Sequence, residues 1–98
     1  MKLSELLRDI EVLALHAPEE LDIADVAYDS RRAGPGSLFV AVRGFDTDGH
    51  KYIGSAVKNG AVCVVHSEDI KRNNANVVYI KVRDVIAALN QVAACFYG

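Results

Sequence analysis

Short apolar runs alternate with polar breaks along the chain, and the spacing inside each run sets the conformation expected of it. Leu3, Leu6, Leu7 and Ile10 recur at helical spacing, with Ser4 placed to cap and Glu5 in the first turn, where the helix dipole favours an acid. A short amphipathic helix that covers the core is expected there. Pro18 disfavours helix at the residue before it, so residues 16–20 read as a loop. Residues 23–28 are strand-like, with Val26 and Tyr28 on one face and Asp25, Ala27 and Asp29 on the other.

Gly34-Pro35-Gly36 then forces a turn, since proline suits its first central position and glycine can supply positive φ at the second. Residues 38–42 form a continuous apolar run, as in a strand covered on both faces, and Arg43-Gly44 ends it. Tyr52, Ile53, Ala56 and Val57 lie at helical spacing from about His50, with Asp48 or Gly49 near the cap and Gly60 as the stop. Residues 61–65 and 77–82 are two further strands, separated by a polar loop. Asp84 can cap a last helix with Val85, Ala88, Leu89, Val92 and Phe96 on one stripe.

This alternation predicts an α/β fold: a small, Rossmann-like three-layer domain whose mostly parallel or mixed sheet has about four to five strands, with about three helices on its faces. In open sheets of this kind ligands bind outside the carboxyl ends of the strands. Asp29-Ser30 and the loop at residues 44–47 would both project there, forming the two walls of a crevice.

Composition narrows the partners. The 98 residues fit one domain, 51% hydrophobic content is globular, and 11 basic against 13 acidic side chains are scattered without a basic block. Nucleic acid is therefore not an expected partner. No apolar run approaches the roughly 20 residues that cross a bilayer, and the first residues lack the apolar stretch of a signal peptide, so no membrane is expected and the default location is cytoplasmic. Cys63 and Cys95 sit in apolar segments without Cys-x-x-Cys spacing and read as buried small hydrophobes. His16, His50 and His66 show no metal-ligand spacing with each other or with the cysteines.

The chemistry-bearing residues concentrate between Tyr28 and His50. Ser30 carries a hydroxyl able to hold a phosphate or sugar oxygen, the helix near His50 offers backbone amides to an anion, and Arg31 and Arg32 could add charge-assisted contacts. The competing reading makes Asp29-Ser30 a turn held by side-chain to backbone bonds, with both arginines solvated. Asp46 and Asp48 beside His50 read as turn and cap residues rather than an acid–base cluster. A Ser30, His50 and Asp29 hydrolase lacks the strained nucleophile elbow, and neither Gly-x-Gly-x-x-Gly nor Gly-x-x-x-x-Gly-Lys-Ser/Thr occurs, so the residues describe a binding domain.

The motifs Tyr28-Asp29-Ser30-Arg31, Pro35-Gly36-Ser37-Leu38-Phe39-Val40-Ala41, Gly44, Asp48-Gly49-His50 and Gly60-Ala61 resemble the N-terminal domain of the Mur ligases. Met1-Lys2-Leu3-Ser4-Glu5-Leu6-Leu7 and Ala93-Ala94-Cys95-Phe96-Tyr97-Gly98 make the likeness strongest to the MurE type, UDP-N-acetylmuramoyl-dipeptide:amino acid ligases, although the MurF type shares the central pattern. The resemblance implies that residues 1–98 dock the UDP moiety of UDP-N-acetylmuramoyl-L-alanyl-D-glutamate in peptidoglycan biosynthesis. It places UDP contacts at Tyr28, Ser30, Phe45, Asp46 and Thr47, and no catalytic or metal-binding residue in the chain. The implied partners are that substrate and the central and C-terminal ligase domains, which supply ATP and magnesium chemistry; the fragment alone would not catalyse. The alternatives are the same domain of a MurF-type ligase, or a non-catalytic α/β protein-interaction domain.

Overall fold

A computed structural model describes residues 1–8, 10–15, 21–42, 52–68, 70 and 76–98. The expected loop over 16–20 and the stretch 43–51 lie outside the described residues. Among the described residues five strands make one sheet: β1 (Val12–Leu15), β2 (Asp25–Ala27), β3 (Ser37–Val40), β4 (Cys63–His66) and β5 (Val78–Val82), in the order β1-β5-β4-β3-β2. β2 to β5 are mutually parallel and β1 lies antiparallel against β5, so the sheet is mixed and mostly parallel.

Alternation along the strands sorts the side chains into two cores. Leu38, Val40, Cys63, Val65, Val78, Ile80 and Val82 face one side, where α1 (Leu3–Leu6) contributes Leu3 and Leu6 and α3 (Val85–Tyr97) contributes Val85, Ala88 and Val92. Phe39, Ala41, Val64 and Tyr79 face the other, beneath Ile53 and Ala56 of α2 (Ile53–Lys58). Burial on both faces explains the continuous apolar runs of β3 and β4 and gives the expected three layers.

Asp84 caps α3 as its position suggests, its Oδ1 accepting from Ile86 N at 3.0 Å and Ala87 N at 3.1 Å. The first helix departs from expectation: α1 ends at Leu6, its N-cap is Lys2, and Ser4 lies inside the helix rather than at its cap. Backbone pairing sets this start, with Leu3 N donating to Leu21 O at 2.8 Å and Ile23 N to Met1 O at 2.7 Å. β1 carries no sequence signal of its own, because Val12-Leu13-Ala14-Leu15 mixes helix and strand formers without alternation. Its pairing of Val12 with Val82 and Leu15 with Ile80 makes it a strand.

The edge of β2 is closed by side chains. Val26 N donates to Asp25 Oδ1 at 2.8 Å, and the Tyr97 hydroxyl donates to the Asp25 carboxylate with the Val26 carbonyl 3.2 Å away as a second acceptor. Backbone groups that would otherwise invite another strand are thereby occupied. The carboxylate contact also raises the Tyr97 pKa above the usual phenol value.

Ser37, the first residue of β3, is fully buried, and among the described residues its hydroxyl has no hydrogen-bond partner. An unsatisfied buried hydroxyl costs about 1–3 kcal/mol, and alanine removes the group while leaving almost no void. Ser37→Ala is therefore expected to stabilise the chain by about 1 kcal/mol, a rise of roughly 4–8 °C in Tm for a domain of this size. Thermal denaturation followed by circular dichroism checks this; a drop in Tm would mean the hydroxyl has a partner in solution.

Candidate functional site

β2 and β3 pair in parallel with Asp25 opposite Ser37 and Ala27 opposite Phe39, so their carboxyl ends adjoin. The chain leaving β2 runs through Tyr28 and Asp29 into a 3-10 turn, Ser30–Arg32, that folds back along the α2 face. Asp29 caps this turn: its Oδ1 accepts from Arg31 N at 3.0 Å and Arg31 Nε at 3.1 Å, and its Oδ2 lies 2.8 Å from an Arg31 terminal nitrogen. The Arg31 hydrogen bonds hold the Asp29 carboxyl well below the usual carboxylate range, at about 2, so the cap is charged throughout neutral and mildly acidic pH.

Arg31 and Arg32 are both exposed, as the solvated reading expects, and the Arg31 guanidinium in addition pairs with Asp29. The side-chain to backbone turn foreseen at Asp29-Ser30 is present, with Asp29 Oδ1 accepting from Arg31 N. Tyr28 is 67% exposed and offers an open aromatic face, whereas Ser30 is only 9% exposed and offers a point donor. On the α3 side of β2 a cleft of about 400 Å³ is bordered by Tyr28, Arg32, Leu89, Asn90 and Ala93.

The return of the chain to β3 is a type II turn. Ser37 N donates to Gly34 O at 3.1 Å, Pro35 takes the first central position, and Gly36 takes the second at φ 78°. α2 closes against that turn through a Schellman motif in which Gly60 N donates to Val57 O and Ala61 N to Ala56 O, each at 3.0 Å. The helix starts at Ile53 with Tyr52 as N-cap and no side-chain cap, while the foreseen cap residues Asp48 and Gly49 lie outside the described residues.

Of the expected site residues, the structure places Tyr28 and Ser30 on either side of Asp29 at the carboxyl end of β2. Phe45, Asp46 and Thr47 lie outside the described residues. Val40 ends β3 beside this point, so the chain that leads toward them departs from the neighbouring strand. Asn59 carries no signal in the sequence for its role here: its Nδ2 donates to the Ser30 carbonyl at 2.9 Å across 29 positions of sequence. An asparagine before a helix-ending glycine signals a cap, but no local pattern announces a partner so far away.

Burial pushes the Cys63 thiol up, consistent with an inert core residue, and Cys95 is half-buried with its Sγ 3.6 Å from the Glu5 carbonyl. His66, buried at the end of β4, has Nδ1 2.7 Å from the Glu68 carbonyl oxygen, which requires a proton on Nδ1. Among the described residues no group of three or more His, Cys, Asp or Glu could hold a metal ion, and no helix is long and apolar enough to cross a membrane.

Residues 22–97 match the family model described as Mur ligase family, catalytic domain. The chain is 37% identical over 98 residues to the UDP-N-acetylmuramoyl-L-alanyl-D-glutamate–2,6-diaminopimelate ligase of Alkaliphilus metalliredigens, covering all of this chain and 20% of that protein. It is 43% identical over 98 residues to the UDP-N-acetylmuramyl-tripeptide synthetase of Roseiflexus sp., covering all of this chain and 19% of that protein. MurF from Acinetobacter baumannii matches it with a TM-score of 0.76 at 25% identity, over 95% of this chain and 20% of that one. The chain therefore spans about a fifth of the length of these relatives.

Proposed function

Because the chain belongs to the Mur ligase family, we propose that it docks the UDP end of UDP-N-acetylmuramoyl-L-alanyl-D-glutamate for an ATP-dependent amino acid ligase of peptidoglycan biosynthesis. The observation that carries this reading is the Asp29-capped turn, which sets an exposed Tyr28 ring and a recessed Ser30 hydroxyl at the joined carboxyl ends of β2 and β3. Uracil presents a flat face that an aromatic ring can cover, and a pyrophosphate needs hydroxyl or amide donors. Tyr28 is assigned the first role and Ser30 the second, with Phe45, Asp46 and Thr47 completing the wall from the β3 side.

ATP is ordinarily cradled by a Gly-x-x-x-x-Gly-Lys-Ser/Thr loop together with magnesium, and this sequence carries no such motif. Those groups, and the amide-forming step, are assigned to the central and C-terminal domains of the parent ligase, and the proposed location is the cytoplasm. The names of the Alkaliphilus and Roseiflexus relatives are of the MurE type and support a MurE-type parent. A MurF-type parent is the second reading, supported by the likeness to MurF structures; the UDP site would be the same.

Isothermal calorimetry with UDP tests the proposal. Ser30→Ala is expected to lose about 1–2 kcal/mol of binding, on the order of tenfold in affinity, if its hydroxyl bonds the pyrophosphate. Equal affinity in wild type and variant would remove Ser30 from the site, and heat-silent titrations of both at millimolar UDP would point to the interaction-domain alternative.

A further inference from the structure

We infer that Asn59 is a positioning residue for the nucleotide site, acting through the backbone of Ser30; the inference rests on the UDP-docking reading. Its carboxamide nitrogen donates to the Ser30 carbonyl at 2.9 Å. The same carbonyl also accepts the Ala33 N–H, at a longer 3.3 Å, which closes the 3-10 turn. A carbonyl has two lone pairs, and here one is used within the turn while the other ties the turn to α2.

Both ends of that tie are held. Asn59 is the C-cap of α2, its own N–H donating to Ser55 O at 3.0 Å, and the Schellman closure at Gly60 and Ala61 immobilises the residues that follow. Gly60 O in turn accepts from Gly36 N at 3.0 Å, fastening the helix end to the start of β3. On the other side the Asp29 cap fixes the amide of Arg31, one residue beyond Ser30. The peptide plane after Ser30 is thereby fixed from both directions, and with it the direction of the Cα–Cβ bond that carries the Ser30 hydroxyl. Asn59 touches no proposed ligand group; it narrows the range of Ser30 positions before UDP arrives, which is how preorganisation raises affinity.

A double-mutant cycle separates this role from simple stabilisation of α2. Wild type, Asn59→Ala, Ser30→Ala and the double variant are each titrated with UDP by calorimetry, with Tm recorded alongside. Asn59→Asp is added because the carboxylate keeps the side-chain shape but cannot donate to a carbonyl; it also serves if Asn59→Ala does not fold. Asn59→Ala and Asn59→Asp are each expected to weaken UDP binding about fivefold, the worth of one ordinary hydrogen bond. In the Ser30→Ala background the further loss is expected to vanish, since no hydroxyl remains to be aimed. Equal fold-losses in both backgrounds, or a lowered Tm with unchanged affinity, would overturn the inference while leaving UDP docking intact. A wild-type chain that does not bind UDP would overturn the docking reading and the inference with it.

Discussion

Gly60→Ala is expected to destabilise the chain by about 3–5 kcal/mol, a large share of the 5–15 kcal/mol typical of a whole domain. Two effects add. Gly60 sits at φ +115°, a conformation that side chains rarely adopt and that costs on the order of 1–3 kcal/mol to impose. A Cβ there would also lie 2.7 Å from Pro35 Cα and 3.0 Å from the Gly34 carbonyl carbon, both backbone atoms of a tight turn that cannot swing aside. Relief requires α2 to lift from the 34–36 turn, breaking the Gly36 N to Gly60 O bond and pulling Asn59 from Ser30. Thermal melts should show a fall of more than about 12 °C, together with weaker UDP binding. Gly54→Ala is the matched control: within α2, with nothing inside 4 Å of the added carbon, it should gain up to about 1 kcal/mol of helix propensity. A Gly60→Ala melt within a few degrees of wild type would mean the α2 end does not clamp the turn.

Phe39→Ala should lose about 3–5 kcal/mol by urea denaturation, at the upper end of that range. Phe39 is fully buried in the core between the sheet and α2. Its surroundings include Ala27, Ala33, Ala41, Ala56 and Ala61, side chains too short to move into the space the ring would leave. Cavity cost grows when neighbours cannot collapse, and the five alanines leave only Ile53, Val64 and Tyr79 among the buried side chains of this core able to shift toward the space. Phe39→Leu, which keeps most of the volume, should lose less than half as much. Because Ala27 and Ala33 flank the Tyr28 to Arg32 segment, the alanine variant should also loosen the site above it. A loss near 1 kcal/mol for Phe39→Ala would show that the helix layer readjusts freely.

Features written in local chemistry are legible in the sequence alone. Pro35-Gly36 demands a type II turn, Asp84 an N-cap, Gly60 a helix stop, and the unbroken apolar runs of β3 and β4 a sheet buried on both sides. Those suffice for the three-layer fold and for placing Tyr28 and Ser30 at strand ends. What stays hidden is non-local. β1 is a strand because β5 offers it an edge, and α1 starts at Leu3 because residues 1–3 pair with residues 21–23, so Ser4 never becomes a cap. Arg31 is drawn to Asp29 by a turn whose geometry the sequence suggests only loosely, and Asn59 meets Ser30 because two layers close on one another.

The most direct test of UDP docking is a chemical-shift titration of the isotopically labelled chain with UDP. Binding at the joined ends of β2 and β3 predicts saturable shifts at Tyr28, Asp29 and Ser30 and at Phe45, Asp46 and Thr47, with little change in α1 or β1. Absence of shifts at millimolar UDP, or shifts confined to residues remote from Tyr28 and Ser30, would contradict it.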